Sequence, residues 1–243
     1  NPVRLLAGGF PVLDGATMSA RRQDFLARFD WIRRALMFEP RGHDMMSGSI
    51  VYPAINPGSH AAILFMETSG CLPMCGHGTI GTVTFALEQG LIAQTPDRRL
   101  RLDVPAGIVD IEYEMDGPHV ASVRLRNVAS YLAARDVEIE CPGLGALTVD
   151  VAYGGNFYVI VEPQQSYRGI DALKPDGILR FSPLVRDAVR AKLKPVHPDD
   201  ATVAGELRYD APARTATFIP ASPLAPLTEH RAVAGGARDS AGS

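Results

Sequence analysis

Residues 66–81 read Met66-Glu67-Thr68-Ser69-Gly70-Cys71-Leu72-Pro73-Met74-Cys75-Gly76-His77-Gly78-Thr79-Ile80-Gly81. The run before them, Ala61-Ala62-Ile63-Leu64-Phe65, has the length and flanks of a buried strand. After them Ile80, Val83, Ala86 and Leu87 recur at helical spacing, and Gly90 stands where a helix-ending glycine belongs. Cys75 is thereby placed where a strand hands over to a helix. A thiol there meets the unpaired N–H groups and the positive end of the helix dipole, and both favour the thiolate. Cysteines so placed titrate at roughly 3.5 to 7.5 instead of about 8.5, which predicts a base near neutral pH. Gly76 and Gly78 leave the approach open, so the amides from Gly76 to Thr79 can wrap an anion such as a carboxylate. A base beside a carboxylate cradle is what proton abstraction from an amino acid's α-carbon requires.

Composition narrows the classes. The 243 residues suffice for one large domain or two smaller ones. A net charge of −3 and the absence of any apolar segment long enough to span a bilayer argue against nucleic acid or membrane as the main partner. Three cysteines make no disulfide framework, so a reducing cytoplasm is expected. No basic-then-apolar leader pattern opens the chain, and Asn1 is not a natural start, so upstream residues are expected to be missing.

Around the central stretch, Asn1 to Ala7 reads as an edge or early strand. Met18 to Met37 reads as one amphipathic helix with Ser19 as N-cap and Phe25, Leu26, Phe29, Ile32 and Leu36 along one face. Its Arg21, Arg22, Arg28, Arg33 and Arg34, with Asp24 and Asp30 among them, read as a solvated exterior rather than an anion-binding face. Glu39 to Gly48 is a polar loop before a strand at Ser49 to Tyr52, either functional or a turn satisfied by Asp44 or Ser47. Strands are expected at 99–104, 107–114, 120–126, 146–152 and 156–161, with Ile108, Asp110, Glu112 and Glu114 alternating with Val109, Ile111 and Tyr113. Gly154-Gly155-Asn156 is either a bulge or a place where backbone comes close to a ligand. A second helix runs from Ser182 to about Leu193, with Pro183 at its first position. From 201 on, composition shifts to Ala, Pro and Arg, and no structure is expected beyond Thr215 to Ile219. The class is α+β.

Met74-Cys75-Gly76-His77-Gly78-Thr79-Ile80-Gly81 resembles the proline racemase superfamily, specifically its 4-hydroxyproline epimerase branch. The resemblance extends to Asn1-Pro2-Val3-Arg4, to residues 38–48 and to Asp150-Val151-Ala152-Tyr153-Gly154-Gly155-Asn156-Phe157, and covers residue 1 to about His197. It implies a diaminopimelate-epimerase-like fold in which two pseudo-symmetric halves each wrap a mixed sheet around a central helix. It also implies a cofactor-independent epimerase that inverts the α-carbon of trans-4-hydroxy-L-proline. Cys75 would be one catalytic acid or base, and Gly76, His77 and Gly78 would bind the imino acid. Residues 1–150 would form the first half, 151–199 the start of the second, and 200–243 an atypical, disordered tail. A homodimer is left open.

The family's second catalytic motif, a Pro-Cys-Gly-Thr-Gly-Thr run, does not occur after Cys141. Cys141 precedes Pro142-Gly143-Leu144-Gly145 and is read as structural. The chain therefore resembles a fragment shortened at both ends, its second half incomplete through a frame error or gene truncation. The alternatives are a proline racemase, a trans-3-hydroxyproline dehydratase, or an inactive fragment without the second cysteine. A metal site from Cys71, Cys75 and His77 lacks a fourth ligand and paired spacing, and Cys71 reads as a packed core residue, so no metal is expected.

Overall fold

The structure, a computed structural model, describes residues 2–195 and the backbone of 205–210 and 215–220. Among the described residues two compact units emerge: those through Ser130 together with Gly154–Asn156, and Tyr131–Tyr153 together with those from Phe157 on. Along the chain the first division between the units falls between Ser130 and Tyr131.

In the first unit the strands are β1 (Val3–Leu6), β2 (Ser47–Tyr52), β3 (Ala61–Glu67), β4 (Arg99–Val104), β5 (Gly107–Asp116) and β6 (His119–Arg126). They form one mixed sheet in that order, with β1–β2 and β3–β4 parallel and the other pairs antiparallel. Helix α3 (Gly76–Glu88) lies on one face, while α1 (Met18–Arg28) and α2 (Asp30–Met37) cover the other. The continuous apolar run of β3 is explained by this arrangement. Ile63 and Phe65 enter the core under α3, and Ala62, Leu64 and Met66 enter the core under α1 and α2. Full burial of a side chain such as Phe65 contributes about 2–3 kcal/mol. The two end strands of the sheet, β1 and β6, both touch α3, so the sheet curls around the helix. Gly81 makes that possible on the β1 side, because a Cβ there would stand 3.1 Å from Val3 Cγ2.

β5 alternates as its sequence predicts, Val109, Ile111 and Tyr113 buried and Asp110, Glu112 and Glu114 exposed. Arg99 and Arg101 of β4 pair across the solvent face with Glu112 and Asp110. α3 stops where Gly90 takes φ +68, as its position past the last periodic residue predicts.

The expected single helix over 18–37 is two. The chain breaks at Phe29 (φ −128, ψ 12) and restarts with Asp30 in the first turn of α2, where a carboxylate suits the dipole and holds Arg33 at 2.6 Å. The N-cap of α1 is Thr17, whose hydroxyl accepts the Ala20 N–H, while Ser19 is buried inside the helix.

In the second unit β7 (Tyr131–Cys141), β8 (Gly145–Tyr153) and β9 (Phe157–Ile160) make an antiparallel sheet. Helix α4 (Pro175–Lys192) packs on it through Val185 and Val189 against Val137, Ile139, Leu147 and Val149. The sequence does not announce β7. Ala133-Ala134-Arg135-Asp136 are poor strand formers, the pairing with β8 is bulged there, and Asp136 takes φ +53. Nor does α4 begin at Pro183. Pro175 starts it with Asp176 in the first turn, and Pro183 lies inside, where the Ser182 hydroxyl donates to Ile178 O at 2.7 Å. β10 (Gly205–Asp210) pairs antiparallel with β11 (Thr215–Pro220). β10 was not expected, whereas β11 falls on the one segment of the tail read as ordered. The rest of the tail expectation lies outside the described residues. No helix among the described residues is long and apolar enough to cross a membrane.

Candidate active site

Cys75 is the N-cap residue of α3, with extended backbone (φ −142, ψ 104). Its Sγ accepts the Gly78 N–H at 3.2 Å, and its carbonyl accepts both the N–H and the hydroxyl of Thr79 at 2.8 Å. The first turn is thus closed on Cys75 itself. Two N–H groups at the helix start, those of Gly76 and His77, have no intrahelical acceptor and take no protein partner among the described residues. Of the residues expected to hold a substrate, Gly76 is half-buried, His77 is exposed, and Gly78 is buried with its N–H already on the thiol. The expected four-amide cradle therefore reduces to two free amides beside the sulfur.

The expected acidified thiol is corrected by the packing. Burial against the core under α3 pushes the Cys75 thiol up from its ordinary value, the Gly78 N–H pulls it down, Glu67 pushes it up again, and the net direction is upward.

The loop between β3 and α3 is held from several sides. Arg33, which the sequence assigned to a solvated exterior, is only 8% exposed. It donates to Glu67 O at 2.9 Å and Thr68 O at 2.8 Å while its other edge pairs with Asp30. Arg22 donates to Cys71 O at 2.6 Å. Both are corrections: carbonyls at the end of β3 and in the loop after it, those of Glu67, Thr68 and Cys71, accept from guanidinium donors on the α1–α2 face. Further along, Ala106 N donates to Pro73 O at 3.0 Å. The Asn156 amide brackets Met74, donating to its carbonyl at 2.7 Å and accepting its N–H at 3.4 Å. These partners lie 33 to 82 residues from the groups they hold, and no local pattern announces them.

The polar loop of residues 39–48 abuts the same region. The Thr68 hydroxyl donates to Asp44 O at 3.3 Å, and the turn is closed by His43 Nδ1 accepting the Met45 N–H at 3.1 Å, rather than by an Asp44 or Ser47 side chain. Cys71 is buried in the core under α1 and α2, and Cys141 is buried at the end of β7. Among the described residues no three His, Cys, Asp or Glu side chains are grouped to hold a metal.

Comparison with known proteins bears on this geometry. The pattern of the proline racemase family matches residues 1–209. An uncharacterized protein of Vibrio parahaemolyticus is 59% identical over 205 residues, covering 84% of this chain and 62% of its own length. A 4-hydroxyproline epimerase of Brucella ovis is 58% identical over 199 residues, covering 82% of this chain and 60% of its own length. The chain thus spans about three fifths of the length of these relatives. Among solved structures, a hydroxyproline epimerase from Agrobacterium vitis with bound trans-4-hydroxy-L-proline superposes with a TM-score of 0.72 at 24% identity, over 90% of this chain and 66% of that one. A probable proline racemase from Agrobacterium radiobacter with bound carbonate gives the same TM-score, identity and coverage. At that identity the likeness is one of fold, and it agrees with the α+β class and the sheet curled around α3. With the family pattern running across most of its length and through the Cys75 loop, the chain belongs to the proline racemase family.

Proposed function

We propose that this chain carries one catalytic face of a cofactor-independent epimerase acting on the α-carbon of 4-hydroxyproline. The observation that carries the reading is the Cys75 sulfur at the start of α3 beside the free N–H groups of Gly76 and His77. The identity of 58% to a relative bearing the name 4-hydroxyproline epimerase supports the choice of substrate.

The substrate carboxylate docks on the Gly76 and His77 amides, where two N–H donors and the helix dipole favour an anion. The Cys75 thiolate takes the α-proton: the Cα–H bond breaks, an S–H bond forms, and the electron pair spreads into the carboxylate. The same two amides stabilise that charge more than they stabilise the ground state. Because the reaction is reversible, Cys75 is base in one direction and acid in the other. Burial favours the thiol that delivers a proton, and the Gly78 N–H supports the thiolate needed for abstraction.

Inversion needs a second group on the opposite face. Cys71 and Cys141, 3% and 2% exposed, are buried in cores and do not serve. A second reading follows from that burial: by itself this chain exchanges the α-proton on one face without inverting the centre. A cytoplasmic location fits three free thiols, and the partner is a small imino acid.

The test is proton NMR of trans-4-hydroxy-L-proline in deuterated water, beside a Cys75→Ser control and parallel samples of L-proline and trans-3-hydroxy-L-proline. Loss of the α-proton signal with appearance of the cis-D epimer supports full epimerisation, and loss without the epimer supports the one-sided reading. Exchange confined to L-proline, or dehydration of the 3-hydroxy substrate, would move the assignment to a sister activity. No exchange with any of the three would overturn the proposal.

A further inference from the structure

Asn156 grips the residue next to the catalytic sulfur with both ends of its amide. Its Nδ2 donates to Met74 O at 2.7 Å and its Oδ1 accepts the Met74 N–H at 3.4 Å. That pair of bonds satisfies both backbone groups of a buried residue, as a strand neighbour would, although no strand runs there. The turn carrying Asn156 is fitted to the task. Gly155, at φ +94, lies so close that a Cβ there would stand 2.6 Å from Met74 Cβ, which only glycine permits. Gly154 O accepts the Asn127 side-chain N–H at 2.8 Å, and Gly154 N donates to Asn156 O at 3.0 Å, so the turn is braced before it reaches Met74.

Met74 is buried at 3% exposure, and the next residue is Cys75, whose extended backbone aims Sγ at the Gly78 N–H. Asn156 thus holds the peptide unit that leads into Cys75. On the reading that Cys75 is the proton-transfer group, we propose that Asn156 is a positioning residue, holding the Met74–Cys75 backbone so that the sulfur points at both the substrate α-carbon and the Gly78 N–H. The bracket works through two hydrogen bonds of opposite sense. A side chain that only fills the space does not replace it.

The experiment compares the full chain with Asn156→Ala, Asn156→Asp and Asn127→Ala. Asp preserves the shape and the acceptor but turns a carboxylate oxygen toward Met74 O, whereas Asn127→Ala loosens the turn without touching Met74. Two readouts are taken. One is the rate of Cys75 alkylation by iodoacetamide against pH, located by peptide mass spectrometry; Glu67 is the charged group that acts on the thiol in the unsubstituted chain and in the alanine variants, and Asn156→Asp adds a second carboxylate beside it. The other is the kcat and KM for α-proton exchange on trans-4-hydroxy-L-proline.

Asn156→Ala and Asn156→Asp are expected to move the alkylation midpoint to higher pH, because a mis-aimed sulfur loses the Gly78 N–H, and to lower kcat about 100-fold with KM changed less than threefold. Asn127→Ala, which removes the brace but leaves the bracket on Met74, is expected to move both in the same direction by a smaller amount. If Asn156→Ala does not fold, the kcat and KM of the isosteric Asn156→Asp decide, because its added charge moves the alkylation midpoint by itself. An unchanged kcat in folded Asn156→Asp overturns the inference. Absence of exchange in the unsubstituted chain sinks the functional reading instead, and the alkylation profile still decides the role of Asn156.

Discussion

The Sγ of Cys75 lies 3.2 Å from the backbone nitrogen of Gly78 and accepts its N–H. A methyl group added at Gly78 would stand 3.1 Å from that sulfur and 3.2 Å from Phe65 Cδ1, so it is squeezed from both sides. Gly78→Ala is therefore expected to push the sulfur aside by a few tenths of an ångström, leaving the chain folded while α-proton exchange falls about tenfold. Rates of exchange in deuterated water beside the thermal unfolding midpoint check this. A variant that exchanges at the unsubstituted rate would show that the bond is incidental.

Arg33 ties the α1–α2 layer to the loop that carries the site. Replacing it by Met keeps most of the apolar stem but leaves the carbonyls of Glu67 and Thr68 without their charged donor and Asp30 without its partner. The expected cost is about 2–3 kcal/mol of folding stability, the scale of hydrogen bonds to a charged group. Activity is expected to fall more steeply than stability near the unfolding midpoint, because the loop loosens before the sheet does. Urea unfolding followed by fluorescence gives the first number. A loss below about 0.5 kcal/mol would return Arg33 to the solvated surface role that its sequence context suggests.

Asp103 of β4, 1% exposed, holds the loop of residues 55–59. It accepts the N–H groups of Ile55 and Asn56 at 2.6 and 2.9 Å, the Asn56 side-chain amide at 3.0 Å and the Ser59 hydroxyl at 2.6 Å. Burial pushes its carboxyl up, but the four donors outweigh it and the net direction is below 3.8. A carboxyl depressed in the folded state contributes stability that is present above its unfolded value and lost as the pH falls through the folded one. Asp103→Asn is expected to cost about 2 kcal/mol at neutral pH and to flatten the acid limb of stability below about pH 4. Urea midpoints between pH 7 and pH 3 test both halves of the statement.

Cys71 supplies the opposite limb. Burial pushes its thiol from 9.0 to about 12, against the pull of Arg22 and Arg33. The folded chain keeps the proton longer than the unfolded one, so this contribution is full below pH 9 and is lost as the pH rises toward 12. Cys71→Ala is expected to lower stability by about 1 kcal/mol at pH 7 through the small cavity and to remove part of the alkaline decline. Unfolding midpoints from pH 8 to pH 11 measure it. Equal alkaline slopes in both proteins would assign the decline to other groups, such as Tyr52, whose hydroxyl is also raised to about 12 by burial.

What the sequence determined by itself is what depends on near neighbours along the chain. A buried strand at Ala61 to Phe65, a helix ending before Gly90, and Cys75 between them follow from periodicity and capping, which act over four residues or fewer. The alternation of β5 and the ordered segment near 215–220 were legible for the same reason. Tertiary structure alone decided the rest. Phe29 interrupts a continuous apolar stripe, and the poor strand formers of β7 are recruited by pairing with β8. The Arg33 guanidinium finds carbonyls 34 and 35 residues away, and the Asn156 amide finds Met74 across 82. The thiol shows the same division. The helix start beside Cys75 is written in the sequence and predicts an acidic sulfur, whereas the burial that reverses the shift is created only when Cys75 packs against the core under α3.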